Sequence, residues 1–99
     1  MKVEIEIVRI PVDRSRAQEL AETIQLARAG YLAPPRCSGL EVLTGDDGDE
    51  VTAIVRWSSA EAHEQALEGS ESASFFKTVM ALASGPPEVR KYALAGASS

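Results

Sequence analysis

The stretch VRWSSAEAHEQALEG holds the only tryptophan of the chain, Trp57, and six residues later its only histidine, His63. An imidazole changes charge near neutral pH and can take or give a proton. An indole offers a flat apolar face with a single N–H donor. A histidine alone on an inward helix face is either a catalytic group or a hydrogen-bonded core residue, and spacing leaves both open. Other chemistry is scarce. There is no second histidine, no ligand cluster of zinc type and no nucleophile motif. Asp46, Asp47, Asp49 and Glu50 crowd together but lack the twelve-residue calcium spacing, and they read as a solvated hairpin tip. Cys37 is the only cysteine, so no disulfide forms within the chain, and it reads as a small buried apolar residue.

These residues need elements to hold them. Val3 to Ile10 alternate at first and then turn apolar on both faces, which predicts a strand ended by Pro11. Asp13 or Ser15 can cap the following helix, and Ser15 with Gln18 fits a capping box. Leu20, Ile24, Ala27 and Tyr31 recur at helical spacing from Arg16 to about Gly30, where Gly30 and Pro34–Pro35 stop the helix. LEVLTGDDGDEVTAIVRW reads as a β-hairpin, with Leu40–Thr44 and Val51–Trp57 flanking a Gly/Asp turn. Ser58 with Glu61 predicts a cap for a short helix over Ala60–Leu67, interrupted at Gly69. A further helix follows over Ser72–Ala83, then a break at Gly85-Pro86-Pro87 and a last strand over Glu88–Leu94.

The order β-α-β-β-α-β, with its second helix split, predicts an α+β ferredoxin-like fold with both crossovers on one face of a four-stranded antiparallel sheet. Alternation assigns Val3, Ile5, Ile7, Leu40, Val42, Val51, Ala53, Val55 and Trp57 to the side under the helices, joined by Tyr92 and Leu94. Glu4, Glu6, Val8, Ile10, Leu43, Ile54, Arg56 and Val89 then fall on the open side. That mixture of charge and apolar surface on a rigid sheet predicts a subunit interface, hence a two-fold homodimer packed sheet against sheet. On this placement Trp57 and His63 share one end of the space between helices and sheet.

Ninety-nine residues make one domain, expected over 1–95 with a frayed tail at 96–99. A chain this short buries roughly 60–65% of its unfolded surface, enough for one core and little more. The net charge of −5 and the lack of any Lys/Arg cluster exclude the basic face that nucleic acid or an anionic membrane requires. The start MKVEIEIVRI lacks a signal-peptide core and no apolar run approaches a membrane span, so the expected location is cytoplasmic.

The pattern APPRCSGLEVL…DEVTAIVRWSSAEAHEQALEGSESASFF resembles the antibiotic biosynthesis monooxygenase (ABM) domain, in which a Pro/Gly-Cys segment leads into the second strand. A strand ending in Trp, then Ser-x-Glu-Ala-His-Glu, then Ser and an aromatic helix complete the likeness, which runs from Val3 to Leu94. The resemblance implies a dimeric α+β barrel. For active members it implies oxygen insertion into anthrones, quinols or aromatic polyketides without metal, flavin or haem. It makes His63 the candidate base or anion-stabilising donor and Trp57 a candidate wall against a flat ring. Tyr31, Phe75, Val79 and Tyr92 become candidate substrate-lining residues. The first strand lacks the asparagine of haem-degrading relatives, and Ala66 and Leu67 stand where their ligating histidine would be, which speaks against haem. The alternative is a non-catalytic dimer of this type that binds a small hydrophobic ligand or serves in an assembly.

Overall fold

The structure, a computed structural model, describes residues 3–95; the expected frayed tail at 96–99 lies outside them. The elements run β1 (Glu4–Pro11), α1 (Ala17–Leu26), β2 (Cys37–Thr44), β3 (Glu50–Trp57), α2 (Ala60–Glu68), α3 (Ser70–Leu82) and β4 (Glu88–Ala93), with single 3-10 turns before and after α1. All pairings are antiparallel, in the order β2-β3-β1-β4. This is the predicted α+β ferredoxin-like architecture.

Local causes are legible at most boundaries. Asp13, not Ser15, caps the first turn: its Oδ1 accepts from the Ser15 N–H at 3.0 Å. α1 buries Ala17, Leu20, Ala21 and Ile24, one stripe at helical spacing. The hairpin between β2 and β3 closes with the Gly45 N–H donating to Glu50 O at 2.8 Å, and Gly48 holds φ +75°, a region that favours glycine. Ser59 rather than Ser58 caps α2, its Oγ accepting from the Ala62 N–H at 3.0 Å. Ser58 instead ties the chain back by a hydrogen bond from its hydroxyl to Pro35 O. Gly69 ends α2 and opens α3 in one step.

The face assignment of β1 is the main correction. Directly paired residues in an antiparallel ladder project to the same side. Trp57 pairs with Glu4, Val55 with Glu6, Ala53 with Val8 and Val51 with Ile10. Trp57, Val55, Ala53 and Val51 are buried under the helices, so Glu4, Glu6, Val8 and Ile10 lie there too. Ile5 and Ile7 face the open side, where Tyr92 pairs with Ile5. Tyr92 is therefore on the open face and not under the helices. Val89 and Lys91, paired with Val8 and Glu6, take the helix side instead.

The phase of β1 is set by its second half. Ile10 and the following Val12 are each 2% exposed and belong to the core with Leu20, Ile24 and Leu32. Seating Ile10 inward carries Val8, Glu6 and Glu4 with it, since the strand period is two. Two carboxylates thereby enter the layer between sheet and helices, and each must find a donor.

Candidate functional site

The donors come from the strand-to-helix corner at Trp57. Trp57 ends β3 fully buried, and its Nε1–H donates to Glu6 Oε1 at 3.0 Å. His63, on the first turns of α2 and 3% exposed, lies flat on the indole with centroids 4.4 Å apart and planes 8° from parallel. Its Nδ1 is hydrogen-bonded to Glu4 Oε2, and its Nε2 stands 3.7 Å from Glu6 Oε2. One imidazole thus bridges two carboxylates two residues apart on one strand. A strand rises about 3.3 Å per residue, so side chains at that separation bracket a five-membered ring. No buried side-chain N or O among the described residues is left without a partner.

Beside this cluster, a cavity of about 100 Å³ lies between the helices and the sheet. Its wall is apolar: Val8 and Ile10 of β1, Ala53 and Val55 of β3, Ile24 and Leu32, and Phe75, Phe76, Val79 and Met80 of α3. Among the described residues Glu6 is the only charged one on the wall, and Tyr31 brings the other polar group. Phe76, Met80 and Val89 are 42%, 48% and 51% exposed and form its mouth. Tyr31 is buried and packs against Phe75 at 5.2 Å and edge-on to Trp57 at 5.7 Å between centroids. Burial, then the nearby Glu6 charge, pushes the Tyr31 phenol above its usual 10.0. It therefore stays protonated and able to donate.

The candidate residues separate into three groups. Tyr31, Phe75 and Val79 line the cavity. Trp57 and His63 point into the same interior and meet face to face, but neither is on the cavity wall; Glu6 stands between them and the space. Tyr92 lies across the sheet, 46% exposed. Glu4 and Glu6 were missed because alternation within β1 put them on the open face. The signal that could have placed them is chemical: an indole N–H and an imidazole, both destined for burial, require acceptors.

No protein-family model matches the chain, and no curated protein sequence is matched to it. Solved structures do match. SnoaB of Streptomyces nogalater, a cofactor-independent oxygenase, superposes with a TM-score of 0.82 at 17% identity, over 99% of this chain and 97% of its own. The monooxygenase from the gene ActVA-Orf6 of Streptomyces coelicolor, solved with nanaomycin D, gives 0.80 at 22% identity over 99% and 92%. A Bordetella bronchiseptica protein assigned as an antibiotic biosynthesis monooxygenase gives 0.78 at 19% identity over 93% and 96%. The fold is that of the antibiotic biosynthesis monooxygenases. On the ABM fold seen here, the cavity lies between the helices and the helix side of the sheet, and the Trp57 corner closes one side of the Glu6 carboxylate. No helix among the described residues is long and apolar enough to cross a membrane.

Proposed function

We propose that this protein is a cofactor-independent monooxygenase that oxidises an electron-rich aromatic compound, an anthrone, a quinol or a related aromatic polyketide, with molecular oxygen. The observation that carries the reading is the apolar cavity whose wall holds one carboxylate, Glu6, and one buried phenol, Tyr31. The fold shared with a cofactor-independent oxygenase supports it, as does the fold shared with a monooxygenase solved in complex with nanaomycin D.

The chemistry asks little of the protein. Loss of a proton turns an anthrone methylene into a carbanion conjugated with the ring oxygen. That anion gives one electron to oxygen, the radical pair combines to a carbon-bound peroxide, and loss of water leaves a carbonyl. The balance is CH2 + O2 → C=O + H2O, so the substrate supplies all the electrons. The chain's part is to accept a proton, stabilise the oxyanion and keep water out. The protonated Tyr31 is the donor suited to the oxyanion. Phe75 and Val79 offer apolar contact to the rings. Ligand sites for drug-sized molecules run to about 300–1,000 Å³, so a tricyclic substrate requires Phe76 and Met80 to swing outward from the mouth.

A homodimer through the open sheet face belongs to the same proposal. That face carries Ile5, Ile7, Leu43, Ile54 and Tyr92, and every residue of β4 is exposed in the single chain. A monomeric mass in sedimentation at micromolar concentration would remove this part.

The test of function is oxygen uptake with anthrone and a small panel of hydroquinones. One oxygen consumed per anthrone, with anthraquinone as product, is the expected result. Tight binding of these compounds without consumption refutes the enzyme and leaves a binding protein.

A further inference from the structure

We infer that Glu6, and not His63, takes the substrate proton, and that His63 and Glu4 form a wire that moves this proton between the apolar cavity and solvent. The inference rests on the oxygenase reading above and assigns its acid–base machinery. Of the four clustered residues, only Glu6 lines the cavity. Glu4 lines a separate surface depression with Val3, Ala60 and Lys91. His63 lies between the two carboxylates and touches neither space. The cluster therefore joins the cavity wall, away from its mouth, to a second surface depression through a single imidazole.

The oxygens of Glu6 have distinct tasks. Oε1 is held by the Trp57 N–H at 3.0 Å, which leaves Oε2 to receive a proton. The substrate C–H or O–H bond breaks with its electron pair staying on the substrate, and an O–H bond forms at Oε2. The 3.7 Å gap from Oε2 to His63 Nε2 is too long for transfer. Transfer requires the Glu6 side chain to close this gap by about 0.9 Å, to the roughly 2.8 Å of a normal charge-assisted pair. Nε2 then takes the proton as Nδ1 releases its own to Glu4 Oε2. The relay uses the tautomer with hydrogen on Nδ1, donated to Glu4, and a lone pair on Nε2. Stacking on the indole fixes the ring plane so that both nitrogens stay in line.

The oxidation releases no net proton, because both methylene hydrogens end in water. The wire instead holds the proton away from the carbanion while the electron moves to oxygen, then returns one as the peroxide collapses. Among the described residues no Lys or Arg stands on the cavity wall to hold the anion, so a proton kept on Glu6 would otherwise recombine with it. The same wall predicts a preference for uncharged phenols over substrates bearing a carboxylate, which the Glu6 charge repels.

Anaerobic exchange separates proton transfer from oxygen chemistry. Anthrone in D2O with the protein and no oxygen reports deprotonation as deuterium gained at the methylene. Wild type should speed this exchange and, in air, consume oxygen. Glu6→Gln should lose both by about 100-fold or more while still binding anthrone, read from Trp57 fluorescence. Glu6→Asp, which keeps the carboxyl but retracts it, should fall between the two and serves if Glu6→Gln does not fold. Glu4→Gln should cut exchange with solvent at least 10-fold but oxygen uptake by less, since a proton on Glu6 returns internally. Exchange and uptake in Glu6→Gln above a hundredth of wild type overturn the base. Exchange in Glu4→Gln equal to wild type overturns the wire. A wild type that neither exchanges nor consumes oxygen refutes the oxygenase reading itself.

Discussion

Replacing Trp57 by Phe tests whether the buried carboxylate depends on the indole donor. The substitution removes the Nε1–H that donates to Glu6 Oε1 at 3.0 Å, in a place where neither residue is more than 9% exposed. A hydrogen bond to a buried charged group contributes about 1.5–3 kcal/mol. The smaller ring forfeits roughly 50 Å² of buried apolar contact, about 1.2 kcal/mol at 25 cal/mol/Å². Trp57→Phe should therefore destabilise by about 3–4 kcal/mol, a large part of the 5–15 kcal/mol typical of a domain. At about 4–8 °C per kcal/mol for a chain of this size, the Tm should fall by roughly 12–30 °C. Glu6→Met leaves the indole N–H unpaired instead. With both changed the orphan disappears, so the double variant should be more stable than the singles sum to by about 1.5–3 kcal/mol. Urea unfolding followed by far-UV circular dichroism measures the cycle, because Trp57 is the only tryptophan and its fluorescence is lost. A coupling below about 0.5 kcal/mol, the usual scatter of independent sites, would refute the view that this bond holds the carboxylate.

Three further outcomes are expected. Tyr31 ionises in the fold only above its unfolded value of 10.0, so the stability tied to its neutral form is whole below pH 10 and drains as pH rises beyond it. Alkaline titration at 295 nm should show one phenolate appearing together with unfolding, and Tyr31→Phe should abolish that step. Gly48→Ala places a side chain at φ +75° and its Cβ 3.1 Å from Arg14 Cγ, which should cost about 1–2 kcal/mol in urea unfolding. Val79→Phe adds a ring to the cavity wall, and it should weaken anthrone binding at least 10-fold while circular dichroism stays native.

Much of the fold was legible because its signals are local. The Gly/Asp tip between two β-rich runs identifies the hairpin, and the helical spacing of Leu20, Ile24 and Ala27 identifies α1, which ends at Leu26 rather than reaching Gly30. The site was legible in part. The meeting of Trp57 and His63 followed from their place at the end of β3 and the start of α2, whereas Tyr31, Phe75 and Val79 entered as lining residues through the family resemblance. The partners of the two rings did not follow. β1 is apolar on both faces, so its alternation contains two self-consistent phases. One puts Ile5 and Ile7 inside, the other Val8 and Ile10. Hydropathy within the strand favours the phase that keeps Glu4 and Glu6 in water. Register with β3 selects the other, and the indole and imidazole donors remove the penalty of burying the glutamates.

The sequence by itself determined the order of elements, the antiparallel sheet with helices on one side, and the inward course of the lone indole and lone imidazole, since each depends on residues near one another in the chain. Only the tertiary structure decided which charged groups those rings serve and which residue faces the cavity. Glu6 and Trp57 stand 51 positions apart, and Glu4 and His63 stand 59 apart. Contacts of that reach are set by strand register and layer packing. A one-residue change of phase in β1 would turn both carboxylates to the opposite face and leave the cavity without the Glu6 carboxylate.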